Sequence, residues 1–540
     1  MAERFVIGHD VGTGGSKAVL MDTAGSVLAT GFEPYPVYYP EPNWAEQDPE
    51  DWWRAVTACT RRLLESSGVR PDQVIGMGFA GQMVGVVPVD ASGQPLRPAI
   101  IWLDSRADEQ ARRITRRLGG ERVVTRVAAA IPSGKDVVCK IVWMKENEPA
   151  VFRDTDSFLD VTGYLVHRAT GSIIIDHTGA GGTGMLTGAR EWSRLLSRWI
   201  GIPIDKMPPI KSSIDIAGGL TSEAARGMGL PAGTPVIAGM ADIPAAATGS
   251  GALDNGDAHI NLGTSSWLCL SVSRPKNLGK HGIAAVASAD PDMYIMIGES
   301  ETAGACLKWF AEQFARPDEW NRSSGEMAIF KTLDESVEKV EPGSGRLIFT
   351  PWMFGERSPV GDTTLRASFV NLSLEHSRDH LLRAIYEGVA YNLRWLIDIV
   401  ADAGFPCESV RAIGGGAKSD VWMQIVADVT GRRIEAVENP QEAGAVGCAL
   451  AVAAALKIYD NYKQLKNVVR VRKTFEPQRE LSPAYEELYR NFRRLYPGLS
   501  RVCRSLNETA GGGHQLRRKP SLPIEPGWSD DELGGGAHGL

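Results

Sequence analysis

Asp10-Val-Gly-Thr-Gly-Gly-Ser-Lys17 sets a carboxylate, a glycine-rich bend and an ammonium within one short segment. Gly and Thr permit a tight turn and leave backbone N–H groups bare, as a phosphate-holding hairpin requires. An acidic residue just ahead of such a bend can hold Mg2+ through waters, because that ion takes few carboxylates and completes its shell with phosphate oxygens. Lys17 can add a point charge to the same phosphates. Leu262-Gly263-Thr264-Ser-Ser266 repeats the bend in the second half of the chain. Ile413-Gly-Gly415-Gly416-Ala-Lys-Ser419 puts three glycines after an apolar run and ahead of a helical one. Bare backbone and a helix N-terminus can lie against a ligand there. In Ala238-Gly-Met-Ala-Asp242-Ile-Pro, a carboxylate stands between an apolar strand and an Ala-rich helix. The helix dipole favours its charged form, and it is placed to act as base toward a hydroxyl. Singly, each bend is also an ordinary turn, and Asp242 is also a helix cap. Together, two phosphate hairpins and a glycine-rich edge on two halves describe a cleft closing on ATP.

The elements that must hold these groups read as α/β. The chain begins strand, turn, strand: Phe5–His9, the Gly12–Gly15 bend, Lys17–Met21, then Thr23-Ala-Gly25 into Val27–Thr30. Glu50–Ser67 follows with Trp53, Val56, Cys59, Leu63 and Leu64 at helical spacing. The alternation continues to about residue 475. Residues 7–17 are echoed by 259–267, each a strand, a Gly-Thr turn and more strand. Two related halves are expected, meeting near Gly249–Asp257: a first domain over residues 1–252 and a second over 253–500. Ser482 and Pro483 open a helix whose apolar spacing runs to Tyr496. From 506 to 540 the glycine-rich, polar sequence cannot bury enough apolar surface to offset chain entropy, so a disordered tail is expected.

Composition excludes several classes. With 540 residues, 43% hydrophobic and 23% charged, the chain is globular and long enough for two to four domains. A net charge of −7 argues against a nucleic-acid-coating surface. The longest small-apolar run, Ala443–Leu456, is shorter than the ~20 residues of a bilayer span and reads as a buried helix. The 7 cysteines never form C-x-x-C, which points to reduced thiols in a cytoplasm. No Walker-type loop occurs. The G-x-G-x-x-G matches at Gly76–Gly81 and Gly179–Gly184 do not open helices as a dinucleotide fingerprint must. The one at Gly534–Gly539 lies in the tail. His376 and His380, four apart as metal ligands on a helix would be, read as a polar helix start.

In order along the chain, these motifs resemble the FGGY carbohydrate kinases, and most closely their xylulokinase-like branch. The shared pieces include Asp10-x-Gly-Thr, Trp44-Ala-Glu-Gln-Asp-Pro49, Gly81-Gln-Met83, Trp102-Leu-Asp-Ser-Arg106, Lys140-Ile-Val-Trp-Met-Lys-Glu-Asn-Glu-Pro149, Leu262-Gly-Thr-Ser265, Pro351-Trp-Met-Phe-Gly-Glu-Arg-Ser-Pro359 and Gly414-Gly-Gly-Ala-Lys-Ser419. The resemblance implies two ribonuclease-H-like, actin-like ATPase domains, with MgATP and a sugar in the cleft between them. It implies Asp242 as catalytic base, Asp10 as the metal-associated carboxylate, and Thr13 and Lys17 on the nucleotide phosphates. Gly263 and Thr264 fall on the second phosphate hairpin, and Gly415, Gly416 and Ser419 beside the nucleoside. Gln82, Met83, Asp104 and Asp242 face the sugar, with Trp44, Gln47 and Asp48 supporting that wall. A homodimer is left open.

This chain departs from the family pattern toward the substrate. The family usually continues Gln-Met with His-Gly, and here Val84 follows Met83. Ile243-Pro244 stands where Asn or Gln is usual, and Val137-Val-Cys-Lys140 lacks a small or hydroxyl residue. A site that loses a polar partner for a substrate hydroxyl loses discrimination. All three departures lie toward the acceptor and none toward ATP, so the expected function is an ATP-dependent carbohydrate kinase acting on a terminal hydroxyl of a sugar, a xylulose-like ketopentose favoured. Another sugar or a polyol is the alternative acceptor, and a non-catalytic actin-like ATP switch or sugar sensor the rival from another class.

Overall fold

The computed structural model describes residues 3–120, 132–187, 190–315 and 326–507. The Asp10 and Thr264 bends each close an antiparallel hairpin: Phe5–Val11 with Gly15–Asp22, and Ala258–Leu262 with Ser266–Val272. Each leading strand also pairs in parallel with a strand far along the chain, Val74–Gly81 in the first case and Ser409–Ile413 in the second. Beyond these, the sheets continue alike. Pro235–Ile237 adds in parallel and Ile216–Gly219 antiparallel in the first; Arg433–Val437 and Val471–Phe475 do the same in the second. On the hairpin side, Val27–Pro34 closes the first sheet, whereas Tyr294–Ser300 and Ile283–Ala287 extend the second. The echo seen in sequence is thus an echo of topology.

Phe5–Val11 is buried on both faces, as a central strand should be. Alternation sends Phe5, Ile7 and Val11 to a core shared with the helix Pro49–Ser67, where Trp52, Val56, Cys59 and Leu63 are buried. Asp48 caps that helix through the Glu50 N–H at 2.9 Å, Pro49 occupies its first turn, and Gly68 ends it at φ +68°. The other face of the same strand meets a different helix, Ala443–Ala455.

That helix and Asp242–Ser250 follow equivalent strands of the two halves, and they cross. Ala443–Ala455 packs Ala445, Ala449 and Val452 with Val6, Val19 and Met21 of the first sheet. Asp242–Ser250 packs Ala246 with Ile413 and Val437, and Ala247 with Cys269, Ile295 and Ile297 of the second. The contact is backbone to backbone. A Cβ on Gly447 would lie 1.9 Å from the Ala245 carbonyl oxygen, one on Gly249 1.8 Å from that of Ala443, and one on Gly8 2.2 Å from that of Ala445. The expected boundary after residue 252 assigns Ala443–Ala455 to the second domain, yet in space it lies on the first sheet.

One local expectation stands and another needs correction. The Gly179–Gly184 run opens no helix, as expected: it falls at the end of a short one, His177–Gly182, and Met185–Thr187 after it is not helical. Asp176 caps that helix by accepting from Thr178 and Gly179 N–H groups. The last helix does not stop at Tyr496 but runs Ser482–Asn507 with Pro497 inside it. His376 and His380 do sit at a polar helix start, with Ser377 as cap of Arg378–Asp402. The expected tail lies outside the described residues from 508 onward.

Gly447→Val places a branched side chain where a single carbon already collides with backbone. We expect a loss of about 1–3 kcal/mol, measured as a lowered urea midpoint. An unchanged midpoint would mean that the crossing has slack.

Candidate active site

Two carboxylates meet where the crossed helices begin: Asp242 opens one helix, and Asp10, on its strand, faces the first turn of the other. Asp10 ends its strand beside Gly444, where a Cβ would lie 2.4 Å from the Asp10 Oδ2. It therefore faces the first turn of Ala443–Ala455. Burial raises its pKa, and the Lys17 charge opposes the rise. Asp242 is the first residue of its own helix, after the cap Ala241, and accepts the Ile243 N–H at 2.9 Å. Its pKa is pushed up to about 7, first by burial, then by the charge of Asp10, with Glu299 of the second sheet adding to it. The Met240–Ala241 strand that aims Asp242 pairs with Ala80–Gly81. Thr178 accepts the Ala241 N–H at 2.8 Å, and Thr162 donates to the Met240 carbonyl at 3.1 Å.

Gln82, Gln47, Thr13 and Trp102, on the wall expected to face the sugar, form one network. Gln82 Nε2 donates to Gln47 Oε1 at 2.7 Å, and Gln47 Nε2 donates to the Thr13 carbonyl at 2.7 Å. Trp52 also donates to Gln47 Oε1, at 3.1 Å, and Trp102 donates to the Thr13 hydroxyl at 2.8 Å. The Thr13 hydroxyl in turn donates toward Gln82 Oε1 at 3.4 Å. The side chain expected on phosphate is thus turned to the wall. Met83 approaches Gly182, and Val84 after it has φ +59°. Asp104 is buried, and both its oxygens are occupied: Arg106 donates at 2.7–3.0 Å and the Ala45 N–H at 2.6 Å. The Arg106 guanidinium lies over Trp44 at 3.7 Å and near Trp143 at 4.9 Å. Asp104 and Trp44 therefore hold Arg106 behind the wall, and Asp48 serves as a helix cap.

Across the cleft, Gly263 N–H donates to Ser265 O at 2.9 Å, as Gly12 donates to Gly15 at 3.1 Å in the first hairpin. The Thr264 carbonyl accepts from Ala303 and Ala305 at 2.9 and 3.0 Å, which seats the bend on the helix Gly304–Phe314. In the Gly414–Gly416 turn the glycines have packing reasons. Gly414 lies at φ +85°, and a Cβ there would stand 2.5 Å from Asn261 Oδ1. One on Gly416 would be 2.7 Å from the Leu262 Cβ and 2.8 Å from the Trp422 ring. Ser419 caps Asp420–Thr430 through the Trp422 N–H at 3.0 Å. Lys17 reaches across to the Gln441 carbonyl at 3.1 Å, and Lys418 donates to the Gln441 side chain. Gln441 thereby joins the first hairpin to the glycine turn.

Sequence reasoning gave no role to Glu299 and Arg357. Arg357 donates to Glu301 at 3.1 Å and pairs with Glu299, whose charge reaches Asp242. The only sequence signal was the Gly355-Glu-Arg-Ser-Pro359 piece of the family pattern.

A carboxylate with a near-neutral pKa, a second carboxylate beside it and two Gly-Thr bends in a cleft between equivalent α/β halves define a phosphotransferase site of the actin-like kind. The model of the FGGY family of carbohydrate kinases, N-terminal domain, matches residues 5–249, and that of the C-terminal domain matches 258–456. The chain is 32% identical over 495 residues to xylulose kinase of Bacillus subtilis, covering 91% of this chain and 97% of that one. It is 32% identical over 502 residues to xylulose kinase of Escherichia coli, at 91% and 99% coverage. The crystal structure of xylulose kinase from Rhodospirillum rubrum superposes with a TM-score of 0.81 at 28% identity, covering 93% of this chain and all of that one. The chain belongs to the FGGY family of carbohydrate kinases. It is an ATP-dependent sugar kinase, which sets aside the non-catalytic switch and the sensor.

The Asp242 shift has a stability consequence. A carboxyl group whose pKa rises on folding holds its proton more tightly in the folded state, so stability is lost as pH climbs from 3.8 toward 7 and stays lost above. Asp242→Asn should be more stable than the parent at pH 8, by an amount on the order of a few kcal/mol at about 1.4 kcal/mol per pKa unit. The difference should vanish near pH ~4. Denaturation curves that differ equally at both pH values would show that Asp242 is not desolvated.

Proposed function

We propose that this enzyme transfers the γ-phosphoryl group of MgATP to a terminal primary hydroxyl of a ketopentose, with xylulose the acceptor. The observation that carries the reading is Asp242, held at a helix start in the cleft with its pKa near neutrality. The similarity to xylulose kinases along nearly the whole chain supplies the substrate class. Phosphoryl transfer is mainly positioning and charge neutralisation. Asp242 orients the acceptor hydroxyl and takes its proton. The Gly12–Gly15 and Gly263–Ser265 bends offer backbone N–H groups to the phosphates, and Lys17 exchanges the Gln441 carbonyl for a phosphate oxygen when nucleotide enters. The Gln82–Gln47–Thr13–Trp102 wall orients the sugar, and closure of the cleft keeps water from competing as acceptor.

Asp10 fits a magnesium ion: it is a half-buried carboxylate, desolvated where the crossed helices begin and flanked by the space left by Gly444. Asp10 would hold the ion, which would supply neutralisation of the triphosphate charge. Among the described residues no group of three or more His, Cys, Asp or Glu side chains is placed to hold a metal ion. All seven cysteines are unpaired. Unpaired thiols suit a reducing compartment such as a cytoplasm, and among the described residues no helix is long and apolar enough to cross a membrane.

Val84 favours a second acceptor reading. An apolar side chain stands where the family usually carries His, so another ketose or a four- or five-carbon polyol could fit. ADP release measured across xylulose, ribulose, gluconate, xylitol and glycerol separates the two. We expect the highest kcat/KM with xylulose; a polyol above every sugar would replace it as acceptor. Asp242→Asn should lower kcat by at least about 100-fold while ATP binding persists. Because the base must be ionised, the wild-type rate should rise with pH through about 7. Near-normal turnover in the variant would remove Asp242 from this role.

A further inference from the structure

Lys140 is buried in the helix Val137–Asn147 with no exposed surface, and among the described residues no carboxylate forms an ion pair with it. Its Nζ donates instead to two backbone carbonyls, Val84 at 2.8 Å and Ile101 at 2.9 Å. A buried ammonium is costly unless its donors are satisfied, so its retention among Ile141, Val142 and Met144 calls for a reason. Burial draws its pKa down to about 7; the charges of Asp104 and Asp136 oppose that and those of Lys135 and Arg106 add to it.

The reason lies in what the two carbonyls belong to. Val84 has φ +59°. For a β-branched residue this is an outlier that persists only when its surroundings over-determine it. Val86 and Ile100 exchange backbone hydrogen bonds at 3.0 and 3.1 Å, which zips the Gln82–Val86 segment to Ile100–Asp104 at one end. Lys140 rivets the same two segments where Val84 bends. The riveted turns carry Gln82 and Met83 in one and Trp102 in the other, and Gln82 and Trp102 both meet the Thr13 hydroxyl. Were the Val84 carbonyl released, its backbone would relax to negative φ and turn Gln82 and Met83 away.

We propose that Lys140 is a positioning residue for the acceptor: by holding the Val84 carbonyl it keeps the Gln82–Gly85 turn in the strained shape that presents the sugar wall. This rests on the sugar-kinase reading of the cleft. Glycine adopts positive φ freely, so a V84G chain holds the same turn without the rivet.

The test is a double-mutant cycle of K140M and V84G, read as KM for xylulose, KM for ATP and kcat at saturating sugar. K140M should raise the sugar KM about tenfold, the scale on which small misplacements of binding groups are felt. The ATP KM and kcat should change by less than about threefold, because Lys17, Asp242 and the Gly263–Ser265 bend have no bond to Lys140 and only the Thr13 hydroxyl links the wall to the first hairpin. In the V84G background the same substitution should change the sugar KM by less than about threefold. An unchanged sugar KM in K140M, or an equal rise in both backgrounds, overturns the proposal. If K140M does not fold, recovery of folded protein in the K140M/V84G double supports it, and failure to recover assigns Lys140 to helix packing and overturns it. Should the wild-type enzyme phosphorylate no sugar or polyol, the functional reading fails by itself. The cycle is then read from melting temperatures, where additive shifts overturn the coupling and non-additive shifts sustain it.

Discussion

The crossing of Asp242–Ser250 and Ala443–Ala455 is the constraint on which the site depends. Two helices approach so closely that carbonyl oxygens occupy the places where Cβ atoms of Gly447 and Gly249 would be. The contact is reciprocal: Gly447 meets Ala245 and Gly249 meets Ala443, the two contact residues of each helix lying one turn apart. No flexible side chain intervenes, so neither helix can slide without a backbone collision. Because Asp242 begins one helix and Asp10 faces the first turn of the other, the same packing fixes both carboxylates. Toward the first hairpin the halves are joined by the Lys17 ammonium on the Gln441 carbonyl, a single charge-assisted hydrogen bond of about 1.5–3 kcal/mol net, and not by interlocked backbone.

Two fields act on those carboxylates, and magnitudes decide between them. A helix N-terminus favours a carboxylate by about 0.3–1 kcal/mol, or ~2 in a partly buried setting. Burial together with the neighbouring Asp10 and Glu299 charges outweighs it, since Asp242 stands near 7 and not at 3.8. The result is a group that is about half ionised at neutral pH and basic enough to take a proton from an alcohol. A solvated surface aspartate at the same helix start would be ionised but a poor acceptor, because catalytic efficiency follows the match of pKa to operating pH. The stability cost and the chemical use of Asp242 are one fact.

Much of this was legible in the chain itself. The Gly-Thr bends announce hairpins because few residues tolerate such turns, and their repetition at 259–267 foretold two sheets of like topology. Asp242 was readable as a carboxylate between strand and helix. What could not be read was long-range. Gly414 and Gly416 looked like surfaces for a ligand, but their missing side chains make room for Asn261, Leu262 and Trp422, partners set by the fold. Thr13 looked like a phosphate ligand until Trp102, 89 positions away, took its hydroxyl. Asp104 looked like a sugar contact, although the arginine two residues on fills its oxygens. Local pattern fixes where a polar group sits in a turn, and tertiary packing decides which way it faces.

The departures from the family pattern acquire a physical meaning once Lys140 is placed. Val137-Val-Cys-Lys140 and Val84 looked like independent losses of polarity toward the substrate. They meet: the helix bearing the apolar Val137 and Val138 is the one whose Lys140 holds the Val84 carbonyl. An apolar side chain at position 84 contributes no hydrogen bond to an acceptor, so recognition must come from how well the turn and the Gln82–Trp102 wall are shaped. Shape carried by a residue at φ +59° is only as good as whatever prevents its relaxation. In this chain specificity has therefore moved from a side-chain contact to a backbone conformation, and the residue that enforces it sits outside the site, on a helix, with no surface of its own exposed.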